Sequence, residues 1–200
     1  RIPESWEVKL LNLVTEKVNV GFVGTCEKFY TDKTNGIPML RTGNLQNEKL
    51  DLTELKYVTK EFHELNKKSK LKPFDLLVAR HGSSGQCVMV PKDFPDSNCL
   101  NIVIIRNNFE ICDSMFLQYM FNSNLIQKQM LQKKAGSTQG VINTKEIAST
   151  KILLPALEEQ KQIAEILSTV DNKLENLKEK KLFFEELKKG LMQKLLTGEV

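Results

Sequence analysis

The sequence predicts a mixed α/β (α+β) globular domain in residues 1–155, followed by one long C-terminal coiled-coil helix in residues 156–200. Short apolar runs bounded by Gly, Pro, Asn and Asp recur through the first part of the chain, and such runs are typical of strands. Beyond Pro155, Gly and Pro are absent until Gly190, while the good helix formers Glu, Lys, Leu and Gln predominate. This change of composition places a domain boundary near Pro155.

The strands of the globular part are predicted from two apolar runs. Residues 75–79 (DLLVA) and 101–105 (NIVII) have the length and the composition of buried strands. Glycine-containing segments at residues 36–38, 82–85 and 136–140 are the clearest loops, because each lies beside the end of a predicted element.

Two helices are predicted between these strands and loops. Residues 6–14 and residues 114–131 carry apolar side chains at the spacing of an amphipathic helix. Asp113 or Ser114 can cap the second helix, since both residue types accept hydrogen bonds from the first turn. Strands and helices mixed in this way predict one α/β domain.

Charge, cysteine spacing and hydropathy exclude some classes of protein but do not identify the function. The chain has 29 Lys and Arg against 25 Asp and Glu, and this net charge of +4 permits nucleic-acid binding without requiring it. Cys26, Cys87, Cys99 and Cys112 include no pair at the spacing of a metal site, so we expect buried free thiols in a reducing cytosol. No apolar run reaches about 18 residues, which predicts no membrane span and a cytoplasmic location.

The long helix carries an apolar seam with a seven-residue repeat. Its predicted dimerisation residues are Ile163, Ile166, Val170, Leu174, Leu177, Phe184, Leu187 and Leu191. A helix of about 40 residues is about 60 Å long, which exceeds the width of a domain of this size, so a second helix must cover part of the seam. The second row of core positions, which holds Ile166 and Leu187, is interrupted by Lys173, Lys180 and Lys194. These charged residues favour multi-helix packing over a strict two-stranded zipper. An ordinary core helix is the alternative.

Two polar loops have the residues that a DNA-reading surface needs, namely cations for phosphates and polar side chains for base edges. The candidates are Arg80, His81, Ser83, Ser84 and Gln86 in the first loop, and Lys133, Lys134, Ser137, Thr138 and Gln139 in the second. We expect Arg80 to face guanine, Gln139 to face adenine, and both lysines to hold phosphates, with the two loops on one face. An ordinary hairpin turn is the alternative for the first loop.

Two further segments are candidates for DNA contact, and the first of them is the weaker. Arg41 and Asn44 lie in an Arg-Thr-Gly-Asn sequence, which also forms a common turn at a strand end. Residues 60–72 concentrate positive charge, although Glu61 and Glu64 dilute it, and a solvated helix face explains that pattern equally well. The cations in this segment are Lys60, His63, Lys67, Lys68, Lys70 and Lys72.

Several motifs, in order, resemble those of the specificity subunits of type I restriction-modification systems. Residues 153–167 (LLPALEEQKQIAEIL) resemble the signature that opens the long helix of that family, and residues 187–198 (LKKGLMQKLLTG) resemble its ending. Upstream pieces similar to the family's target-recognition domain are IPESW at 2–6, RTGNL at 41–45, DLLVARHG at 75–82, AGSTQ at 135–139 and IN at 142–143. The resemblance spans essentially the whole chain.

This resemblance implies a DNA-recognition subunit that binds double-stranded DNA and docks a methyltransferase subunit, through which a restriction subunit binds. A full-length member carries two recognition domains and two such helices, whereas this sequence supplies one of each. The resemblance therefore implies a homodimer with antiparallel helices, reading a bipartite site with inverted half-sites. Alternatively the sequence is half of a longer chain, since nothing in it distinguishes the two cases.

Enzymatic functions find little support in the sequence. An adenine methyltransferase needs a glycine-rich cofactor loop and an Asn/Asp-Pro-Pro-aromatic motif, an ATPase needs a Gly-Lys-Ser/Thr motif, and none is present. Glu185 and Glu186 lie on the coiled coil, and His63 and His81 have no evident partner. We therefore expect no catalytic residues, no metal and no cofactor. The alternatives are the recognition part of a type IIG-like restriction enzyme and a purely structural oligomerisation module.

Overall fold

The computed structural model describes residues 3–80, 85–135 and 141–198. The chain forms two compact units, Arg1–Lys161 and Gln162–Val200. The strands are β1 Glu7–Leu10, β2 Thr15–Val20, β3 Tyr30–Thr31, β4 Ile37–Arg41, β5 Leu45–Gln46, β6 Lys49–Leu50, β7 Lys56–Val58, β8 Leu76–Ala79, β9 Cys87–Met89, β10 Asn98–Leu100, β11 Ile102–Asn107 and β12 Lys151–Leu154. The α-helices are α1 Lys60–Leu65, α2 Ser114–Asn122, α3 Asn124–Ala135, α4 Thr144–Ala148 and α5 Leu157–Thr197. Short 3-10 helices lie at Leu11–Leu13, Glu27–Phe29, Thr42–Asn44 and Lys67–Ser69.

An antiparallel sheet in the order β2-β11-β8-β9 forms the centre of the first unit. All four residues of β8 are buried, as are the first four of β11, because both faces of these strands are covered. The two apolar runs therefore form strands as predicted, each beginning one residue later than the run. A continuous apolar run, rather than an alternating one, is what a strand covered on both faces requires.

A second sheet in the order β10-β4-β7-β3 adjoins the first, and the chain crosses between the two sheets at Asn101. Asn101 has a φ of 56°, in the left-handed region that asparagine tolerates better than most residues. Gly21 lies against this crossing, where an added Cβ would come within 2.4 Å of Cys99 Sγ. Gly21 N also donates to Ile102 O at 2.9 Å, so glycine is needed for the close approach of the two backbones.

Residues 6–14 do not form the predicted helix. They form β1 and a 3-10 turn, and β1 pairs antiparallel with β12, with Glu7 opposite Leu154 and Leu10 opposite Lys151. Leu11 and Val14 are fully buried, so the helical spacing of apolar residues arises from packing at the turn after the strand. A pairing partner more than a hundred residues away thus overrides the local pattern.

The helix predicted over residues 114–131 is two helices, α2 and α3, which meet at Ser123. Asp113 caps α2, since its Oδ1 accepts from Phe116 N at 2.8 Å, as predicted. Ser123 has an extended backbone, and its carbonyl accepts from Ile126 N and Gln127 N to begin α3. The apolar spacing continues across the break because Phe121 and Ile126, on either side of it, are both fully buried.

The four cysteines are free and buried, as predicted. Burial raises the pKa of the Cys112 thiol to about 12, and it raises the pKa values of Cys87 and Cys99 further. These thiols are therefore protonated and behave as small apolar side chains. Within the residues that the structure describes, no helix combines the length and the hydropathy of a bilayer-spanning segment.

The second unit is the continuation of α5, and the long helix is confirmed. The helix has 41 residues, which corresponds to about 60 Å. The predicted seam residues other than Ile163 are between 46% and 65% exposed within one chain. Leu182 and Phe183 beside them are about 60% exposed as well, so the apolar surface widens towards the C-terminal half.

Candidate nucleic-acid interface

Arg80 is the one member of the first candidate loop, besides Gln86, that lies within the described residues. It follows directly on β8 and is half-buried, and its Nε donates to the carbonyl of Ile142 at 3.2 Å. This bond ties the start of the first loop to the residue that follows the second loop. The guanidinium carries four further N–H donors besides the one on Nε.

Gly85 contacts α3, the helix that leads into the second loop. Its carbonyl accepts from the Gln127 side chain at 2.8 Å, and an added Cβ would lie 3.1 Å from Met130 on α3. Gly85 has a φ of 97°, which a residue with a side chain rarely adopts. The flanks of both loops therefore lie side by side, as the hypothesis of one shared face requires.

The half-buried Lys133 side chain is hydrogen-bonded to neighbouring protein groups. Its Nζ contacts the Glu146 carbonyl, Ser149 Oγ at 3.3 Å and Thr150 Oγ1 at 3.1 Å. Burial lowers the pKa of this ammonium, and the charge of Glu146 acts in the opposite direction. These contacts join α3 to the end of α4, so Lys133 can hold a phosphate only by giving them up.

Gln86 supports a neighbouring turn. In the amide orientation that satisfies its neighbours, the side chain donates to Leu45 O at 3.1 Å and accepts from Asn47 N at 2.6 Å and Glu48 N at 2.7 Å. Asn47 and Glu48 form the two-residue turn between β5 and β6, with φ values of 50° and 63°. Both turn amides are thus satisfied by one side chain from the loop region.

Arg41 and Asn44 are also engaged with the backbone. The Asn44 amide is buried, accepting from Arg41 N at 2.9 Å and donating to Asp51 O at 2.8 Å. Arg41 Nη2 donates to Glu54 O at 3.1 Å. Asn44 therefore shapes the turn, while Arg41 is anchored through Nη2 and its Nε is buried without a hydrogen-bond partner among the described residues.

The remaining candidate residues are placed as follows. Lys134 lies at the end of α3 and is half-buried. His81, Ser83, Ser84, Ser137, Thr138 and Gln139 lie outside the described residues. In residues 3–80, 85–135 and 141–198, no group of three or more His, Cys, Asp or Glu is arranged to hold a metal ion.

Gln160, which sequence reasoning did not single out, fastens the start of α5 within the first unit. It is fully buried, accepts from Asp113 N at 2.9 Å, and donates to Ile111 O at 3.1 Å and Pro155 O at 2.9 Å. Beside it, Trp6 Nε1 donates to Glu159 Oε1 at 3.0 Å. In the sequence, a role for Gln160 was indicated only by its position inside the motif at residues 153–167.

These features define a two-part protein, with a mixed α/β head and a long helix that carries an exposed apolar seam. The family model of the type I restriction modification DNA specificity domain matches residues 3–183, which include both parts. The chain therefore belongs to the type I restriction-modification specificity family, and the resemblance inferred from its motifs is confirmed.

Relatives within this family are similar along the whole chain. The chain is 30% identical over 204 residues to the type I restriction enzyme MjaVIII specificity subunit of Methanocaldococcus jannaschii, covering 100% of this chain and 47% of that protein. It is 26% identical over 206 residues to the type I restriction enzyme EcoKI specificity subunit of Escherichia coli strain K12, covering 100% of this chain and 43% of that one. The chain thus spans less than half the length of these relatives.

A solved structure shows the same fold. The crystal structure of the HsdS subunit from Thermoanaerobacter tengcongensis superposes with a TM-score of 0.65 at 16% sequence identity, covering 89% of this chain and 40% of that chain. The predicted mixed α/β fold with a long C-terminal helix is therefore confirmed.

Proposed function

We propose that the chain recognises DNA as a specificity subunit of a type I restriction-modification system, without catalysing a reaction itself. The observation that carries this proposal is the single family match through both the head and most of the helix. The head reads double-stranded DNA, a methyltransferase subunit docks on the chain, and a restriction subunit binds through that methyltransferase. A subunit that acts on cellular DNA would work in the cytoplasm.

The DNA-reading surface in this proposal consists of the two loops whose flanks lie side by side. Arg80 and Gln139 face base edges, and Lys134, with Ser83, Ser84, Ser137 and Thr138 beside it, holds phosphates. Arg41 and His81 contribute at the margin. Lys133, Gln86 and Asn44 act mainly by holding the surrounding backbone, since the described contacts occupy their polar groups.

Gln139→Ala is expected to weaken binding to the preferred duplex by about 1–3 kcal/mol while binding to unrelated duplexes changes little, because a base contact carries sequence information. Fluorescence anisotropy with both duplexes measures the difference. Gln132→Ala, at an exposed glutamine on α3, is the matched control and should leave both affinities unchanged. If the wild-type chain fails to bind DNA in a salt-dependent manner, the proposed function is wrong.

The helix in this proposal joins two copies into a homodimer, with α5 of one copy antiparallel to α5 of the other. The exposed seam supports the pairing, because seven of the predicted seam residues are at least 46% exposed in one chain. Each helix is about 60 Å long, so fewer than about two turns of B-DNA, at about 34 Å a turn, separate the two readers.

Charges placed in the seam are expected to separate the copies. The double variant Val170→Glu with Leu177→Glu should raise the dissociation constant of the dimer about 100-fold or more, because two carboxylates would replace apolar contacts. Sedimentation velocity over a concentration series measures this constant. Asn172→Glu with Gln193→Glu adds the same charge at exposed positions off the seam and should sediment like the wild type. A wild-type chain that stays monomeric at tens of micromolar contradicts the dimer.

A further inference from the structure

A cleft of about 420 Å³ opens on the head at the end of β2. One wall is formed by residues 21–23, which follow β2, and the other by residues 65–69, which include the end of α1 and the 3-10 turn after it. The cleft contains no residue of the two DNA-reading loops, and its second wall lies within the lysine-rich segment 60–72.

The rim of this cleft combines two cations with two apolar side chains. Lys67 and Lys68 are exposed, and neither forms an ion pair with any residue in the described part of the chain, whereas Lys70 nearby pairs with Glu64 at 2.8 Å. Val23 and Leu65 are 59% and 71% exposed. Cations beside apolar contact area match a nucleic-acid backbone, where phosphates alternate with deoxyribose rings.

A buried polar network fixes the lysine-bearing wall. Asn98 is fully buried, and its amide donates to Ser69 Oγ at 2.6 Å while its Oδ1 lies 2.6 Å from His63 Nδ1. Ser69 Oγ in turn donates to Asn66 O at 2.9 Å. From the other side, Asn19 Nδ2 donates to the carbonyl of Lys68 at 3.0 Å. The backbone that carries both lysines is therefore held in place before any ligand arrives.

Strand register places this cleft at the same end of the central sheet as the first DNA-reading loop. Val20, the last residue of β2, is opposite Val103 on β11. The neighbouring residue of β11, Ile102, is opposite Ala79, the last residue of β8. The segment 21–23 and Arg80 therefore follow strands that end on the same side of the central sheet. The two strands are separated by β11, so their ends are about 10 Å apart at the usual strand spacing.

We propose that this cleft binds the DNA sugar-phosphate backbone beside the bases that the loops read, with Lys67 and Lys68 on phosphates and Val23 and Leu65 against deoxyribose. The inference rests on the proposed function and adds a backbone contact to it. The ends of β2 and β8 are about 10 Å apart, which is the length of about three base pairs at about 3.4 Å each, so the cleft begins within a short duplex segment of the first loop. Contacts of this kind fix the register of the protein on DNA and carry no base preference.

The test is the salt dependence of binding to a duplex of unrelated sequence. For the full chain, the slope of the logarithm of affinity against the logarithm of salt concentration should fall by about two units in Lys67→Gln with Lys68→Gln, about one unit for each phosphate that the variant no longer neutralises. The matched control is Lys17→Gln with Lys92→Gln, two exposed lysines towards the opposite end of the central sheet, and its slope should equal that of the wild type.

The salt-dependence measurement can contradict the cleft assignment without contradicting DNA recognition by the chain. A wild type that binds DNA with a salt dependence that the double variant retains in full overturns the cleft assignment alone. A wild type without salt-dependent binding overturns both. If the double variant keeps its DNA slope but no longer binds poly-L-glutamate, used as a model of an acidic protein surface, the cleft belongs to a protein partner and the proposal is wrong. An unchanged circular dichroism spectrum verifies that the variant is folded.

Discussion

Replacement of Asp75 by Asn is expected to lower the free energy of unfolding by about 3–5 kcal/mol, because it leaves a largely buried guanidinium without its counter-charge. The Asp75 side chain is 2% exposed and accepts from Arg106 Nε at 2.9 Å and Nη2 at 2.7 Å. It also accepts from Lys72 N at 2.8 Å. The hydrogen bond to Asp75 raises the pKa of Arg106, and a guanidinium stays charged in the variant because its ordinary pKa lies far above neutral pH.

Urea denaturation followed by circular dichroism measures this destabilisation. Glu158→Gln is the matched control, since it removes a carboxylate that pairs with Lys161 at 2.6 Å but is 79% exposed. Exposed ion pairs contribute little to stability, so the control should unfold at the same urea concentration as the wild type. Equal midpoints for Asp75→Asn and the wild type would show that the pair between β8 and β11 does not hold the sheet.

Replacement of Gln160 by Ala is expected to cost about 2–3 kcal/mol, because one buried amide satisfies three backbone groups that would all be left without this partner. Gln160 is the link between the start of α5 and the segment at Ile111 and Asp113 before α2. Removal of this link should loosen the first turns of the helix before the central sheet unfolds.

Trp6 reports on this link, because it is the single tryptophan of the chain and its Nε1 donates to Glu159 beside Gln160. In Gln160→Ala, Trp6 fluorescence should therefore change at a lower urea concentration than the circular dichroism of the whole chain. Gln162→Ala changes an exposed glutamine two residues further on and serves as the control. If both variants unfold like the wild type, the head does not fix the start of the helix through Gln160.

The sequence predicts those elements whose pattern is generated locally. The long helix follows from a seven-residue apolar repeat without Pro, and the strands β8 and β11 follow from unbroken apolar runs between turn residues. The segment at residues 6–14 was predicted wrongly, because β1 exists through its pairing with β12, a partner that periodicity does not reveal. The break at Ser123 was missed because both resulting helices bury the same kind of residue.

The candidate DNA-binding residues were harder to predict than the helices and strands, because their availability depends on contacts within the folded protein. Residue type indicates which side chains can contact DNA, but it does not indicate which of them the protein already uses. Gln86 and Lys133 have the chemistry of DNA ligands, yet their polar groups satisfy a turn and a helix end. The cleft at Lys67 and Lys68 depends on the register of β2 and β11, which only the folded structure provides.

Selection of duplexes from a random DNA pool by the purified chain tests the central claim most directly. Two identical heads held apart by paired helices should enrich sequences with two inverted copies of one short motif, at a fixed spacing of fewer than about two helical turns. Enrichment of a single unrepeated motif, or recovery of the pool without enrichment, would contradict the account.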